Sequence, residues 1–205
     1  EVLTSTGPGS ATVMTVKVGS TNKGIITAVE ARLIYDAGAF PGAPLFPSIR
    51  RLYALYKTPN LRIDAFDVVT NKPRVADYRA PGGTSTGFAV ESVIDELAEE
   101  LGMDPINFRL KNSSQEGDPM PTGAILTKMG LSETLQIIQE HPCWKKKLSG
   151  KNRGRGIAMG LWAASPATTT CHIRLNGDAS ATLVLGTVDL SATRTSMSQI
   201  VAEEL

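Results

Sequence analysis

The sequence predicts an α+β fold, with mixed or antiparallel sheets and helices packed on one face of them. Three observations carry this prediction: strand-like alternation in residues 12–36, an amphipathic helix pattern over residues 86–101, and a second round of helix and hairpin patterns after residue 131. Apolar side chains at every second residue are typical of a half-buried strand, whereas a 3.6-residue spacing is typical of a helix. The chain therefore repeats the order sheet, loop and helix.

An antiparallel hairpin is predicted for residues 12–36. The first strand alternates through Met14, Val16 and Val18, and the polar stretch "STNKG" then turns the chain. The second strand places one set of side chains on a common face, namely Ile25, Val29, Ala31, Leu33 and Tyr35. A further short strand is predicted at residues 64–70, after the turn-like "YKTPN". The first half should therefore contain a sheet with one packed face.

The helix over residues 86–101 is the clearest element of the sequence. Its apolar side chains recur at helical spacing, and they are Val90, Val93, Ile94, Leu97, Ala98 and Leu101. The acidic residues Glu91, Asp95 and Glu99 are expected on the opposite face. A second helix is predicted in "MDPINFRL", where Asp104 has the position of an N-cap and Pro105 that of the first helical residue.

The second half begins after a connector that is rich in Ser, Gly, Pro and Asn. We predict a first domain over residues 1–115, a connector over residues 116–130 and the start of a second domain over residues 131–205. The second domain should contain a helix in "LSETLQIIQEH" capped by Ser132, a buried strand in "GRGIAMGLWAA", a hairpin with an Asn176-Gly177 turn, and a final helix in "TRTSMSQIVAEEL".

Composition excludes several classes of function. Of the 205 residues, 41% are hydrophobic and 20% charged, and the net charge is +1, which indicates a globular protein without the basic surface that nucleic acid or an anionic membrane would require. No apolar stretch approaches the roughly 20 residues that span a bilayer. The N-terminus lacks a signal-peptide pattern, and we therefore expect a cytoplasmic protein. Because the chain lacks an initiating Met and ends within a helix pattern, we also expect it to be a fragment of something longer.

The cysteine and histidine content predicts no metal site. Cys143 and Cys171 are too few for a disulfide framework or a four-thiolate cluster. His141 and Cys143 could share a metal, but surface positions at a helix end are the favoured interpretation.

Two loops lead directly into predicted helices and are candidate binding sites. They are "ADYRAPGG", residues 76–83, and "DLSATRT", residues 189–195. A helix start carries unpaired N–H groups and partial positive charge, which suits an anion or an electron-rich ligand. Ordinary helix capping accounts for the same residues, and neither loop matches a Walker or Rossmann pattern. Both interpretations stay open from the residues alone.

Longer motifs carry a resemblance to a known family. In chain order, "YDAGAF", "YKTPNLRI", "ADYRAPGGTSTGFAVESVIDELAEELGMDPINFRLKN" and "GRGIAMG" resemble the molybdopterin-binding large subunit of the xanthine dehydrogenase and aldehyde oxidase family. The most specific part is the pattern "ESxxDELAxxLGxDPxxxRxxN" that follows the first loop. The resemblance covers essentially the whole chain, and it implies parts of two molybdopterin-binding domains.

This resemblance implies an oxidoreductase. The complete subunit would oxidise or hydroxylate aldehydes or N-heterocycles with water-derived oxygen, and FAD and 2Fe–2S clusters would lie on other domains or subunits. The partners implied are those units and a small-molecule substrate, in a dimer of complete assemblies. Aldehydes, N-heterocycles, carbon monoxide and aryl-CoA thioesters remain open as substrates. The rival from another class is a noncatalytic domain that binds an anion or a partner through its helix starts.

The resemblance also implies site residues. Arg79, Ala80, Pro81 and Gly82 would lie beside the molybdenum, and Ser191, Ala192 and Thr193 would contact the pterin, although "DLSATRT" lacks the glycines and glutamine of the family's Asp-x-Gly-Gln-Gly-x-x-Thr. Xanthine-oxidising members tend to have Phe at the place of Pro81, which lowers the expectation of a purine substrate. The glutamate base is expected outside this chain, and Glu203 and Glu204 match a structural stretch. We therefore expect no catalytic residue here and no activity of the chain alone.

Overall fold

The computed structural model describes residues 7–162, 168–189 and 191–205. The chain divides into two compact units, Glu1–Trp162 and Ala163–Leu205. The first unit contains strands β1 (Thr12–Ser20), β2 (Ile26–Gly38) and β3 (Leu61–Val69), and helices α1 (Leu45–Arg51), α2 (Gly83–Glu100), α3 (Pro105–Asn112), α4 (Leu131–Glu140) and α5 (Pro142–Lys145). The second contains β4 (Cys171–Leu175), β5 (Ala181–Leu185) and α6 (Thr193–Glu204).

The sheet of the first unit is mixed, with β2 at its centre. β1 pairs with β2 in the antiparallel sense, which confirms the predicted hairpin, and β3 pairs with β2 in the parallel sense. The register shifts between Gly19 and Ser20. Because a one-residue slip reverses which face a side chain occupies, Ile26 enters the core at 1% exposure while Ile25 stays 44% exposed. The prediction that Ile25 lies on the buried face was therefore wrong.

The core lies between one face of this sheet and the helices. From β2 it takes Val29, Ala31, Leu33 and Tyr35, as the alternation predicted. Helix α2 contributes Val90, Ile94 and Ala98, and it packs against β1 and α1. Val93 and Leu97, also predicted for the apolar stripe, are only half buried. The predicted α+β fold with a mixed sheet is confirmed.

Helix α2 begins three residues earlier than predicted, and its polar face differs from the prediction. Glu91 is only 6% exposed. It was expected opposite the apolar stripe, but Arg109 of α3 and the main chain at Met159 cover that side of the helix and bind the carboxylate. Glu99 is exposed as expected. A helical wheel identifies one buried face, and it does not identify a second face that is covered by a charged partner.

The start of α3 follows the prediction, whereas the start of α4 does not. Asp104 is the N-cap of α3, and its Oδ1 accepts hydrogen bonds from the N–H groups of Ile106 and Asn107, both at 2.9 Å. The N-cap of α4 is Gly130, without a side-chain hydrogen bond, and Ser132 lies inside the first turn. The prediction of Ser132 as a cap was wrong by two residues.

The predicted strand "GRGIAMGLWAA" is not a strand over residues 154–162, and its last two residues lie outside the described part of the chain. Three glycines in these nine residues weaken strand formation. Met159 of this segment is nonetheless buried, at 9% exposure.

In the second unit, β4 and β5 form the predicted antiparallel hairpin. The connection spans residues 176–180 and is closed by a hydrogen bond from the Asn176 N–H to the Ser180 carbonyl at 2.9 Å. Asn176-Gly177 is therefore the beginning of a five-residue loop and not a two-residue turn. None of the described side chains of this unit is buried.

The predicted domain division stays a prediction. Leu135 of α4 contributes to the core of the first unit, and the two compact units separate after Trp162. Among the described helices, none is long and apolar enough to cross a membrane.

Candidate functional site

Residues 76–83, which we call the elbow, form a sharply bent loop that runs straight into α2. Ala80 has a φ of +55° and Gly82 a φ of +70°, and the N–H of Gly83 closes the bend by donating to the Ala80 carbonyl at 2.9 Å. A left-handed conformation costs a residue with a Cβ about 1–2 kcal/mol. Ala80 therefore keeps this backbone only because surrounding contacts fix it.

Gly82 is the anchor of the elbow. Its carbonyl accepts hydrogen bonds from Thr86 Oγ1 at 2.6 Å and from Ser48 Oγ at 3.2 Å, and the Tyr35 hydroxyl also bonds to Ser48. A Cβ on Gly82 would lie 2.2 Å from Ser48 Oγ and 2.4 Å from the Pro44 carbonyl oxygen. Only glycine fits here, because the loop lies against α1 with no space for a side chain.

The elbow contains two main-chain donors without a partner among the residues that the structure describes. Within the described part of the chain, no group accepts a hydrogen bond from the N–H of Ala80 or of Gly82. Ala80 and Pro81 are half buried, and Arg79 is exposed. Ala80 also lines an open groove of about 670 Å³, together with Gly83 and Phe88 on one side and residues 156–162 on the other. The start of an 18-residue helix adds partial positive charge at this end of the groove.

A buried ionic cluster supports the wall of this groove. Glu91 Oε2 accepts three hydrogen bonds: from Arg109 Nε at 3.0 Å, from Arg109 Nη2 at 2.8 Å and from the Met159 N–H at 2.9 Å. Glu91 Oε1 accepts one from the Tyr56 hydroxyl at 2.5 Å. Arg109 also forms an ion pair with Asp95 at 2.8 Å. The cluster thereby ties α2, α3 and residues 156–162 together beside the elbow.

Tyr56 and Arg109 of this cluster do not change their protonation state near neutral pH. Burial, reinforced by the charge of Glu91, raises the pKa of the Tyr56 hydroxyl. Burial alone would lower the pKa of Arg109, but the negative charge around it outweighs this effect and raises that pKa. Tyr56 therefore stays a hydrogen-bond donor and Arg109 stays charged, as expected of a structural cluster.

Sequence reasoning from periodicity missed this cluster, although one motif contained its residues. Within "ESxxDELAxxLGxDPxxxRxxN", the acidic positions Glu91 and Asp95 pair with the arginine, Arg109. The final asparagine, Asn112, donates to the Gly24 carbonyl at 2.8 Å and accepts from the Ile26 N–H at 2.9 Å. The polar positions of the motif thus fix the packing of α2 and α3.

The second candidate loop precedes α6 in the other unit. Ser191 and Ala192 have φ values of +54° and +61°, and Ala192 is the N-cap of the helix. The Arg194 N–H donates to Asp189 Oδ1 at 3.0 Å, while the Arg194 side chain is 83% exposed. Thr193 is the first residue of α6, and Leu190 lies outside the described residues. Two residues with Cβ atoms therefore occupy left-handed positions where glycine would be unstrained.

No group of three or more metal-binding side chains occurs among residues that the structure describes. His141 Nδ1 accepts a hydrogen bond from the Cys143 N–H at 3.2 Å, so it caps α5.

Comparison with known proteins places these features in a family. Residues 1–113, more than half of the 205, match the family described as a molybdopterin cofactor-binding domain. The chain belongs to this family. The elbow and the polar motif after it both lie within the matched residues.

Individual relatives agree with this family. The nicotinate dehydrogenase large molybdopterin subunit of Eubacterium barkeri is 34% identical over 131 residues, which are 62% of this chain and 31% of that protein. The aldehyde oxidoreductase of Megalodesulfovibrio gigas is 28% identical over 190 residues, 87% of this chain and 21% of that protein. The solved aldehyde oxidoreductase from Desulfovibrio gigas superimposes with a TM-score of 0.72, at 28% identity, over 86% of this chain and 21% of that one. The chain therefore spans less than a third of the length of these relatives.

The unpaired donors of the elbow are compatible with a molybdopterin group. Such a cofactor carries many hydrogen-bond acceptors, and the N–H groups of half-buried Ala80 and buried Gly82 have no acceptor among the described residues. The residues predicted for the first loop, Arg79 to Gly82, are contiguous in space because they form one bend. Those predicted for the second loop, Ser191 to Thr193, likewise form one bend at a helix start.

Proposed function

We propose that this chain is part of the catalytic subunit of a molybdenum hydroxylase that oxidises or hydroxylates aldehydes or N-heterocycles with water-derived oxygen. The observation that carries the proposal is the elbow, a strained loop with free main-chain donors that lies inside the matched cofactor-binding domain. Its conformation is fixed by Gly82, Ser48 and Thr86 before any ligand binds. Fixed donors of this kind favour binding because little ordering is needed.

In the elbow, we assign the contacts with the cofactor to four residues. Ala80 and Gly82 would donate through their main-chain N–H groups, and Arg79 would supply positive charge from its exposed side chain. Pro81 has no N–H and would face the substrate. Its half-buried ring leaves room for substrates that a larger aromatic side chain would contact.

In the second loop, we assign contacts with the pterin to Ser191, Ala192 and Thr193. The support is their conformation, since two of the three have positive φ values at the start of α6. Strained residues with Cβ atoms persist where the surroundings or a ligand fix them. The hydroxyl of Ser191 would donate a hydrogen bond to the pterin.

The bound cofactor would supply the redox chemistry, namely removal of two electrons from the substrate carbon and their transfer onward. The residues of this chain bind and orient, and we assign none of them to proton transfer. We propose that FAD and 2Fe–2S clusters on other domains or subunits accept the electrons, in a dimer of complete assemblies, and that the enzyme is cytoplasmic. We also propose that residues 1–205 alone are inactive, since the chain matches only 31% and 21% of the length of the two relatives.

A substitution of Pro81 tests the substrate assignment in the natural protein that contains this chain. Pro81→Phe should change the ratio of turnover between aldehydes and N-heterocycles while the molybdenum content stays at the parent level. Pro59→Phe is the matched control, because Pro59 lies in an exposed turn before β3, and it should leave that ratio unchanged. An unchanged ratio in Pro81→Phe would remove Pro81 from the substrate face. Dye reduction over a substrate panel, with metal analysis of each preparation, provides both measurements.

The noncatalytic alternative uses the same donors to bind an anion or a partner. It rests on the free N–H groups of the elbow and the positive end of α2. A natural protein that binds phosphate at the elbow but contains neither molybdenum nor pterin would favour this alternative.

A further inference from the structure

A small, partly open cavity adjoins the groove in the first unit and shares part of its lining with it. Its volume is about 40 Å³, and its walls include Tyr53, Tyr56, Thr86, Glu91 and Met159. A cavity needs roughly 10–15 Å³ of such space to hold one water molecule. This cavity is therefore large enough for a water, and it is too small for a substrate or a cofactor.

Tyr53, one of the lining residues, carries a hydroxyl without a hydrogen-bond partner in the part of the chain that the structure describes. The residue is only 2% exposed, and within the described residues its hydroxyl makes no hydrogen bond. Its backbone has a φ of +53°, a strained value for a bulky side chain. Burying a hydroxyl without a hydrogen-bond partner costs free energy. The position of Tyr53 therefore indicates that its hydroxyl bonds to a molecule other than the protein.

Glu91 offers that partner an acceptor. Its Oε2 accepts three hydrogen bonds, whereas Oε1 accepts one, from Tyr56 at 2.5 Å. A carboxylate oxygen has two lone pairs, so Oε1 can accept one more. Burial, and after it the charge of Glu91, raise the pKa of Tyr53. The Tyr53 hydroxyl therefore keeps its proton near neutral pH and lies within the field of the Glu91 carboxylate.

We propose that an ordered water molecule occupies this cavity and bridges the Tyr53 hydroxyl to the Glu91 carboxylate. Water fits both groups, since it can accept from the hydroxyl and donate to the carboxylate. An anion would be repelled by Glu91, and a cation would lie close to the charge of Arg109, which already neutralises this carboxylate. The water completes the hydrogen bonding of the cluster that holds residues 156–162 on α2.

A high-resolution crystal structure of the chain tests the proposal directly. We expect an ordered water about 2.5–3.0 Å from both Tyr53 Oη and a Glu91 carboxylate oxygen. In a Tyr53→Phe crystal, this water should be lost. A dry cavity in the parent chain, direct bonding of Tyr53 to a protein atom, or a water that persists in Tyr53→Phe would each overturn the proposal.

Urea unfolding of Tyr53→Phe gives an independent test, because the direction in which the unfolding midpoint moves distinguishes the two cases. If the hydroxyl binds a water, Tyr53→Phe lowers the unfolding midpoint, because the water loses a partner. If the hydroxyl is truly unpaired, its removal leaves the midpoint unchanged or raises it, and the proposal fails. Tyr78→Phe is the matched control, since Tyr78 is 69% exposed and should unfold at the parent midpoint. Should Tyr53→Phe not fold, the parent crystal structure alone decides.

Discussion

Replacement of the buried Arg109 by Met should destabilise the first unit more than replacement of an exposed arginine by Met. Arg109 is fully buried, and it gives Glu91 two hydrogen bonds, Asp95 an ion pair and the Pro105 carbonyl a hydrogen bond at 3.1 Å. Met has a similar length and no charge, so the substitution removes these contacts without a large cavity. It leaves Glu91 buried, with only Tyr56 and the Met159 N–H as donors.

The expected loss follows from the uncompensated charge. Removing one partner of a buried ion pair typically costs about 3–5 kcal/mol, because the remaining charge stays in a low-dielectric site. With a urea m-value of about 2 kcal/mol/M, this corresponds to a midpoint lower by roughly 1.5–2.5 M. The Asp95 carboxylate, whose side chain is 46% exposed, can return to water and should add little to the loss.

Urea unfolding followed by circular dichroism measures this loss, and Arg62→Met is the matched control. Arg62 forms an ion pair with Asp64 at 3.0 Å, but its side chain is 72% exposed, so its replacement should change the free energy of unfolding by less than about 1 kcal/mol. If Arg109→Met unfolds at the same urea concentration as Arg62→Met, the cluster does not hold α2 and α3 together.

Three further predictions concern other elements. Ile94 is 0% exposed, so Ile94→Ala should lower the free energy of unfolding in urea by about 2–5 kcal/mol. Leu97→Ala should lower it less, because Leu97 is half buried. Equal losses would contradict the packing of α2. Asp104→Ala should cost about 1 kcal/mol through loss of the N-cap of α3, and an unchanged unfolding midpoint would mean that the cap contributes nothing. Hydrogen bonds from Lys72, Thr70 and Gly38 lower the pKa of Asp36 to about 2. The stabilisation that Asp36 provides is therefore present above the unfolded pKa of about 3.9 and is lost as pH falls towards 2. Asp36→Asn should flatten the pH dependence of the unfolding midpoint between these pH values. An unaltered pH profile in the variant would mean that Asp36 does not cause this dependence.

Local patterns predicted the elements whose structure depends on near neighbours. The β1–β2 hairpin follows from alternation through Val29, Ala31 and Leu33, since one face of a strand must be buried. The N-cap Asp104 follows from its position before Pro105, because both residues act within one helical turn. The family resemblance predicted the matched cofactor-binding domain, because its long motif retains the elbow and α2 in one continuous stretch.

Features that depend on distant residues escaped prediction. Glu91 was placed towards solvent because periodicity considers one helix alone, whereas its partner Arg109 lies 18 residues away and Met159 lies 68 residues away. The segment around Met159 looked like a buried strand because its side chains are apolar, yet its glycines and its contact with a side-chain carboxylate replace strand pairing. Tyr53 carries no sequence signal at all, since an unpaired hydroxyl is defined only by what surrounds it.

The proposal that the elbow belongs to a molybdopterin site is tested by the molybdenum and pterin content of the natural protein. The natural protein that contains this chain should be purified from a host that makes the cofactor, and its molybdenum should be measured by mass spectrometry and its pterin by fluorescence after oxidation. We expect about one molybdenum and one pterin for each copy of the chain. Folded protein with neither molybdenum nor pterin, from a host that loads another molybdopterin enzyme in parallel, would show that the elbow is not part of a molybdopterin site.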